Sequence, residues 1–205
     1  MSTLWLDWAK RIQALAQSGL AFSKDIYDIE RYEELREISV EIMAKYTDIE
    51  VTKIRDLFTN ETGYQTPKVD VRGVVFQNNQ ILMVKENIDN KWALPGGFCD
   101  IGLSPSENVV KEIKEESGYE VIPVRLLALL DKNKHPHPPD PYHYYKIFIL
   151  CEIIGGEPAV GMETTQVEFF SENNLPLLST KRNTESQIKM LFEYLKNPDK
   201  ETIFD

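Results

Sequence analysis

The sequence is poor in cysteine, in basic residues and in long hydrophobic runs. Its 205 residues include only Cys99 and Cys151, which lack CxxC spacing, so a disulfide framework and a zinc module are excluded. Acidic residues outnumber basic ones 33 to 23, and the net charge of -10 argues against a protein that coats long nucleic acid. No hydrophobic run reaches the roughly 18 residues of a membrane-spanning helix. We therefore expect no membrane partner and no stable nucleic-acid complex.

The remaining composition is that of a globular protein, with 42% hydrophobic and 27% charged residues. This length suffices for one large domain or two small ones. The first 20 residues carry Asp7, Lys10 and Arg11 inside an apolar pattern, which is not the pattern of a signal peptide. We expect a cytosolic protein.

Residues 1–66 are predicted to form a small all-helical domain. Apolar residues recur at helical spacing up to a break at Ser18-Gly19, and a second apolar stripe predicts a helix over 24–46. Thr47 followed by Glu50 is a capping-box pattern, which predicts a third helix to about residue 58.

Three short helices bury only a small core. We therefore expect Trp5, Trp8 and Phe22 to pack on the second domain or on a second subunit. The predicted role of this domain is dimerisation.

Residues 67–205 combine strand and helix patterns, which predicts a mixed sheet flanked by helices. Residues 69–76 and 81–85 form a predicted hairpin, because both are rich in strand-forming residues and a polar turn separates them. Further strands are predicted at 119–130, 144–154 and 167–170, the second of them ended by Gly155-Gly156, and a last helix at 184–196.

A helix over residues 105–117 has sequence signals at both ends. Ser104 is a favourable N-cap, Pro105 suits the first helical position, and Glu107 completes a capping box. Gly118 is a natural terminator.

This helix carries three carboxylates close together, Glu112, Glu115 and Glu116. One interpretation is a solvated acidic face relieved by neighbouring lysines. The other is a site for a hard divalent cation, for which carboxylate oxygens are the preferred ligands. Gly96-Gly97 precedes the helix and favours the second interpretation, because adjacent glycines let the backbone approach a ligand and offer a carbonyl oxygen.

The segment from Gly96 to Tyr119 resembles the signature motif of the Nudix hydrolases. Two positions depart from it: Leu103 stands where the family has Glu, and Lys111 where it has Arg. In the family those two residues form a salt bridge between loop and helix, so we expect the methylenes of Lys111 to lie along Leu103 instead. The matching positions are Gly97, Glu112, Ile113, Glu115, Glu116, Gly118 and Tyr119.

The resemblance implies an α+β protein in two domains. Residues 1–66 are similar to the helical N-terminal domain of a bacterial Nudix subgroup, and residues 67–205 to a Nudix α/β/α sandwich with a mixed sheet. The subgroup includes CDP-choline pyrophosphatase and ADP-ribose pyrophosphatase. We expect a homodimer joined by the N-terminal helices.

The resemblance also implies a metal-dependent hydrolysis. Mg²⁺, or Mn²⁺ in its place, would be held by the Gly96 carbonyl and by Glu112, Glu115 and Glu116. Glu116 and Glu163 are the candidates for the carboxylate that takes the proton from water, with Glu115 as a third. The alternative for Glu163 is an ordinary loop carboxylate.

Substrate contacts are less well defined by the sequence. Arg72 is either a phosphate-binding residue or a member of a surface ion pair, and Trp92 either stacks on a base or packs in the core. The loop from Asp131 to Tyr145 is rich in tyrosine, histidine and proline. Asp131 with Tyr142 would suit a quaternary ammonium, which favours choline, whereas the same loop would equally stack adenine or ribose.

We therefore expect a small substrate in which a nucleoside diphosphate is linked to another group. The first hypothesis is that the enzyme hydrolyses CDP-choline to CMP and phosphocholine. The alternatives are hydrolysis of ADP-ribose and trimming of RNA 3′ ends. The non-enzymatic alternative is a regulatory module that binds a nucleotide.

Overall fold

A computed structural model describes residues 4–47, 51, 52, 54 and 63–205. The chain divides into two compact units. The first comprises Met1–Pro67 with Pro139–Tyr142, and the second comprises Lys68–Pro138 with His143–Asp205.

The first unit contains the helices α1 (Leu4–Phe22) and α2 (Ile26–Tyr46). The Asp25 carboxylate caps α2 by accepting hydrogen bonds from the amides of Tyr27 and Asp28. The apolar core of this unit is formed by Leu6, Ala9, Val40, Met43 and Ile54.

The predicted break at Ser18-Gly19 is wrong, because α1 continues to Phe22. The aromatic ring of Tyr32 packs directly on Gly19, where a Cβ atom would lie 2.3 Å from the ring. Thr47 ends α2, and its hydroxyl donates to the Met43 carbonyl at 2.8 Å. Of the predicted third helix, Val51, Thr52 and Ile54 are helical, and the rest, with the capping box to Glu50, lies outside the described residues.

Trp5 was expected to pack on the second domain or on a second subunit, and this prediction is wrong. Its ring stacks on that of Tyr46 within the first unit, with the ring centres 5.3 Å apart. Trp8 and Phe22 are exposed. The segment Pro139–Tyr142 is bound to α1 through Lys10, whose ammonium donates to the carbonyls of Asp140 and Tyr142.

The second unit contains seven strands, and the predicted hairpin is confirmed. Asn78 and Asn79 form its turn with φ of 50° and 61°, the left-handed conformation that a two-residue hairpin turn requires. Two strands of two residues each were not predicted, and the strand predicted over 144–154 ends at Gly156, two residues later than expected. The strands are β1 (Lys68–Gln77), β2 (Gln80–Glu86), β3 (Trp92–Ala93), β4 (Tyr119–Asp131), β5 (Tyr144–Gly156), β6 (Thr164–Ser171) and β7 (Ile203–Phe204).

The sheet is mixed. Its order is β3-β2-β1-β5-β4-β7, and β6 pairs with β2. β1 runs parallel to β5, and β4 parallel to β7, whereas the other pairs are antiparallel.

Two helices, α3 (Pro105–Ser117) and α4 (Glu185–Lys196), cover opposite faces of this sheet. Val74 packs in the cluster that contains α4, and the next residue, Val75, packs in the cluster that contains α3. Successive side chains of a strand point to opposite faces. The predicted α/β/α arrangement with a mixed sheet is therefore confirmed.

Among the described residues, no helix has the length and apolar character required to cross a membrane.

Candidate active site

The glycine loop before α3 lies against the first half of β1 like an additional antiparallel strand. Gly96 has a φ of +139°, and a Cβ atom on it would lie 2.1 Å from the Val71 carbonyl oxygen, so only glycine fits. The backbone hydrogen bonds that fix the loop run from Val71 N to Gly97 O, from Gly73 N to Pro95 O and from Cys99 N to Val69 O.

The predicted ends of α3 are confirmed. The Ser104 hydroxyl accepts from the Glu107 amide, and the Glu107 carboxylate accepts from the Ser104 amide at 2.8 Å. Gly118 ends the helix with φ of +78°. These caps fix where α3 starts and stops, and hence which of its carboxylates reach the glycine loop.

Glu116 is bound directly to the glycine loop. Its Oε2 accepts the Gly96 N–H at 2.9 Å, and the residue is 7% exposed. Burial raises the pKa of Glu116 to about 8, although the charge of Arg72 and the Gly96 amide oppose this shift.

Glu112 lies beside Gly97. A Cβ atom on Gly97 would lie 3.1 Å from Glu112 Oε2, so the carboxylate occupies the space that a larger residue would fill. Burial also raises the pKa of Glu112, and the charges of Glu115 and Glu163 raise it further. Glu112 and Glu116 therefore converge on the Gly96-Gly97 turn.

The other two candidate carboxylates are more exposed. Glu115 faces outward, with its carboxylate 3.8 Å from the Lys111 ammonium. Glu163 precedes β6, and its backbone carbonyl accepts from the Asn87 amide at 2.9 Å. The charge of Glu163 raises the pKa of Glu112 and of Glu86, so its carboxylate belongs to the same electrostatic neighbourhood.

The residues at this turn fit a divalent cation such as Mg²⁺ by their chemistry, because the donors are carboxylate oxygens and a glycine backbone. Burial raises the pKa of both Glu112 and Glu116, so ionising these two carboxylates is costly, and a bound cation would reduce that cost. Within the described part of the chain, no three His, Cys, Asp or Glu side chains already meet in a metal-binding group.

An ion pair that was not predicted joins the loop between Gly97 and α3 to the helix. The Lys111 ammonium lies 2.6 Å from the Asp100 carboxylate, and Leu103 is 39% exposed. Asn108 is completely buried beneath the loop, accepts from the Asp100 amide at 2.8 Å and donates to the carbonyls of Leu103 and Ser104. The role of Asn108 was not predicted, and a lone helical Asn gives no signal in the sequence.

Arg72 is buried rather than on the surface. Its Nε and Nη2 donate to the two oxygens of Asp70 at 3.0 and 2.7 Å, and Nη1 donates to the Leu94 carbonyl at 3.1 Å. Lys146, also buried, donates to Asp70 at 2.7 Å. Burial opposes ionisation of Asp70, but Arg72 and Lys146 outweigh it and hold its pKa at about 2. These contacts match the ion-pair alternative, with the pair inside the protein.

The other candidate substrate residues have contacts of their own. Trp92 is 8% exposed and packs edge-on against Phe170 at 4.7 Å, which matches its core alternative. Asp131 accepts from the Asn133 amide and pairs with His143 at 2.9 Å. Tyr142 belongs to the first unit.

Glu86, at the end of β2, was not predicted. It is 2% exposed, and the Arg182 guanidinium lies 2.7 Å from its carboxylate. Burial raises the pKa of Glu86, and its charge in turn raises that of Glu116. No spacing in the sequence connects Glu86 with the helix that carries Glu116.

The chain belongs to the Nudix family of hydrolases and is therefore an enzyme of that class. The model of the NUDIX domain matches residues 66–193, which include the glycine loop, α3 and the whole carboxylate site. A model described as a UDP-X-like, N-terminal oligomerisation domain matches residues 3–58.

Three proteins are similar to this chain over two thirds or more of its length. A Bacillus subtilis protein named "Putative ADP-ribose pyrophosphatase YjhB" is 62% identical over 205 residues, which is 100% of this chain and 99% of that protein. A Streptococcus suis ADP-ribose pyrophosphatase of known crystal structure is 44% identical in sequence to this chain. The match covers 68% of this chain and 100% of that chain, with a TM-score of 0.62. The crystal structure of a UDP-X diphosphatase is 32% identical, with a TM-score of 0.65, and covers 100% of both chains.

Proposed function

We propose that this enzyme hydrolyses the pyrophosphate bond of ADP-ribose to AMP and ribose 5-phosphate. The observation that carries the proposal is the convergence of Glu112 and Glu116 on the Gly96-Gly97 turn. The names of the Bacillus subtilis and Streptococcus suis relatives support ADP-ribose as the substrate. A UDP-linked substrate is the second candidate, supported by the UDP-X diphosphatase that matches the chain over its full length.

In this proposal, the Gly96 carbonyl and the carboxylates of Glu112, Glu115 and Glu116 would hold Mg²⁺, or Mn²⁺ in its place. When bound, such an ion would supply a Lewis acid for the diphosphate and for the attacking water. The chain itself contributes the position of the site. The hydrogen bond from Gly96 N–H to Glu116 ties α3 to the glycine loop, and the absence of a side chain at Gly97 leaves room beside Glu112.

Glu163 is the proposed base. Glu116 is buried and already accepts from Gly96, and Glu115 lies beside Lys111. Glu163 is exposed at the start of β6 and is close enough to Glu112 to raise its pKa. Replacement of Glu163 by Gln is expected to lower kcat by roughly 100- to 10,000-fold and to leave KM almost unchanged.

Contacts around the tyrosine-rich loop argue against recognition of a choline headgroup there. The Asp131 carboxylate was expected to contact a quaternary ammonium. It instead accepts a hydrogen bond from the Asn133 amide and pairs with His143. The ring of Tyr144, a buried tyrosine at the start of β5, already faces the Lys132 ammonium at 4.4 Å. A choline headgroup would have to displace these partners.

The proposed assembly is a homodimer formed through α1. The oligomerisation-domain model matches the segment that contains this helix. Leu4, Trp8, Leu15 and Phe22 are at least half exposed, and their spacing of four, seven and seven residues keeps them on one side of the helix. Light scattering after size exclusion is expected to give twice the monomer mass, and Trp8→Glu is expected to lower it.

The test of the proposed reaction is a comparison of ADP-ribose, UDP-glucose, CDP-choline and a short RNA, with product analysis by chromatography in Mg²⁺. Glu112→Gln serves as the blank. Glu120→Gln is the matched control, because Glu120 is an exposed carboxylate just after α3 that pairs with Lys114. Preferential cleavage of ADP-ribose, lost only in Glu112→Gln, is the expected result.

Preference for another substrate would overturn the choice of ADP-ribose and keep the reaction class. Tight binding of nucleotides without turnover of any substrate would instead favour a regulatory module.

A further inference from the structure

The glycine loop that carries the proposed metal ligand Gly96 is held at its start by two buried side chains. Leu94 lies two residues before Gly96, and its amide donates to Asn183 Oδ1 at 3.0 Å. Its carbonyl accepts from Arg72 Nη1 at 3.1 Å. Side chains from two other segments therefore fix both backbone groups of Leu94, in addition to the backbone hydrogen bonds that join the loop to β1.

Asn183 reaches the loop from the turn before α4, 89 residues later in the chain. The Ser179 carbonyl accepts from the Asn183 amide at 3.0 Å, and the Ser179 amide donates to the Trp92 carbonyl at 2.8 Å. These bonds join the turn to β3, which runs directly into Leu94. The Asn183 side chain is therefore held at a fixed place beside the start of the glycine loop.

Packing alone does not explain an Asn at position 183. The residue is completely buried, and among the described residues its Nδ2 has no hydrogen-bond partner. A buried amide donor without a partner costs stability. The contact that the side chain does make runs from its Oδ1 to the glycine loop, so we look for its role there.

The position of Leu94 affects the direction of the Gly96 carbonyl. Only Pro95 separates the two residues, and the proline ring fixes φ near −65°, so little of a shift at Leu94 is absorbed before Gly96. Ligands of a functional site must stay within about 0.5 Å of their productive positions. A displaced Leu94 would therefore move the Gly96 carbonyl away from the carboxylates of Glu112 and Glu116.

We propose that Asn183 is a positioning residue for the metal site. Its Oδ1 holds the Leu94 amide and thereby keeps the Gly96 carbonyl directed toward the ion. This inference rests on the proposed function, because it needs a divalent cation at the glycine loop. Replacement of a residue that orients a metal ligand without touching the metal typically changes metal affinity by roughly 10- to 100-fold.

The test measures the dissociation constant of Mn²⁺ without substrate, by electron paramagnetic resonance of the free ion. Hydrogen exchange of the Leu94 amide is measured in parallel on the metal-free protein. Asn183→Leu removes the acceptor at similar volume, and Asn183→Asp keeps an accepting oxygen. Tyr194→Phe is the matched control, because the buried Tyr194 lies near the other end of α4 and its hydroxyl donates to the Leu127 carbonyl at 2.6 Å.

Asn183→Leu is expected to weaken Mn²⁺ binding by roughly 10- to 100-fold and to speed exchange of the Leu94 amide. The Mn²⁺ concentration that half-saturates hydrolysis of ADP-ribose should rise by the same factor. Asn183→Asp should bind Mn²⁺ almost as tightly as wild type does. Tyr194→Phe should lower the melting temperature and leave Mn²⁺ binding and Leu94 exchange unchanged. Asn183→Ala, which also removes the acceptor, replaces Asn183→Leu if that variant does not fold.

Wild-type affinity for Mn²⁺ or unchanged Leu94 exchange in Asn183→Leu would overturn the proposal. An equal loss of Mn²⁺ affinity in Tyr194→Phe or in Asn183→Asp would overturn it as well. Failure of the proposed function is distinguishable from these results. A wild-type protein that binds no Mn²⁺ would disprove the metal site and this inference together. A protein that shows the expected pattern of Mn²⁺ binding but leaves ADP-ribose intact would disprove only the proposed reaction.

Discussion

The Lys111 ammonium and the Asp100 carboxylate lie 2.6 Å apart and join the loop after Gly97 to α3. The Nudix motif makes this connection with a Glu and an Arg, and the chain has Leu103 and Lys111 at those positions. Asp100 therefore takes over the acidic role from a position three residues earlier. The loop keeps its attachment although both motif residues have changed.

Substitution of Asp100 by Asn tests this attachment. Both side chains are substantially exposed, so we expect a small decrease in the melting temperature that depends on salt. Charge interactions are screened over about 3 Å at 1 M salt, compared with about 10 Å at 0.1 M. Thermal unfolding of wild type and Asp100→Asn should therefore differ at low salt and converge in 1 M NaCl. A difference that persists at 1 M NaCl would mean that Asp100 acts by something other than its charge.

The buried Asn108 is expected to contribute more to the loop than the ion pair does. Asn108→Ala removes the acceptor of the Asp100 amide and the donor to the Leu103 carbonyl, whereas the Ser104 carbonyl keeps its bond from the backbone amide of residue 108. We expect the free energy of unfolding to fall by about 2–4 kcal/mol, measured by urea denaturation at constant m value. Asn174→Ala, in the turn after β6, is a control. A loss no larger than that of the control would contradict the structural role of Asn108.

Local signals in the sequence were sufficient for the elements nearest the site. Ser104, Glu107 and Gly118 defined both ends of α3 because caps act within four residues of the helix end. The hairpin turn at Asn78-Asn79 was equally local. These two predictions already positioned Glu112, Glu115 and Glu116 on one helix behind the glycine loop.

Features that depend on contacts distant in the chain were not predictable. Gly19 indicated a helix break, yet the ring of Tyr32 uses the missing side chain as a packing site. Asp70 and Lys146 are 76 residues apart in sequence and meet only because β1 and β5 pair in parallel. The hydrogen bond from the Leu94 amide to Asn183 spans 89 residues, and neither residue signals the other.

Stability is expected to depend on pH through His137. Burial lowers the pKa of His137 to about 4, the Thr180 carbonyl at 2.8 Å opposes this, and the charges of Lys146, Lys132 and His135 add to it. Between pH 4 and about 6.5, the unfolded chain then binds more protons at this residue than the folded chain does. Its contribution is therefore complete above pH 6.5 and falls by about 2–3 kcal/mol as the pH decreases to 4.

Urea denaturation at pH 7 and pH 4.5 measures this effect. His137→Gln keeps a donor for the Thr180 carbonyl and removes the titrating group, so its stability should change less between the two pH values than that of wild type. Asn133→Gln, at an exposed position of the same segment, is the control and should retain the wild-type change. Equal pH dependence of wild type and His137→Gln would disprove the assignment.

Trp92 is expected to matter for stability and not for substrate binding. The ring packs against Phe170 in the core, so Trp92→Phe should lower the free energy of unfolding by about 1–2 kcal/mol. The KM for ADP-ribose should stay within about twofold of the wild-type value, because a buried ring makes no contact with a substrate. Denaturation and steady-state kinetics on one preparation measure both quantities. A raised KM at unchanged stability would return Trp92 to the substrate site.

Glu112 and Glu116 converge on the Gly96-Gly97 turn, where we propose that they hold a divalent cation. Binding of Mn²⁺, followed by electron paramagnetic resonance of the free ion without substrate, tests it most directly. Glu112→Gln and Glu116→Gln are each expected to weaken Mn²⁺ binding by at least about tenfold, whereas Glu120→Gln should bind as wild type does. Wild-type affinity for Mn²⁺ in Glu112→Gln and Glu116→Gln would contradict the claim.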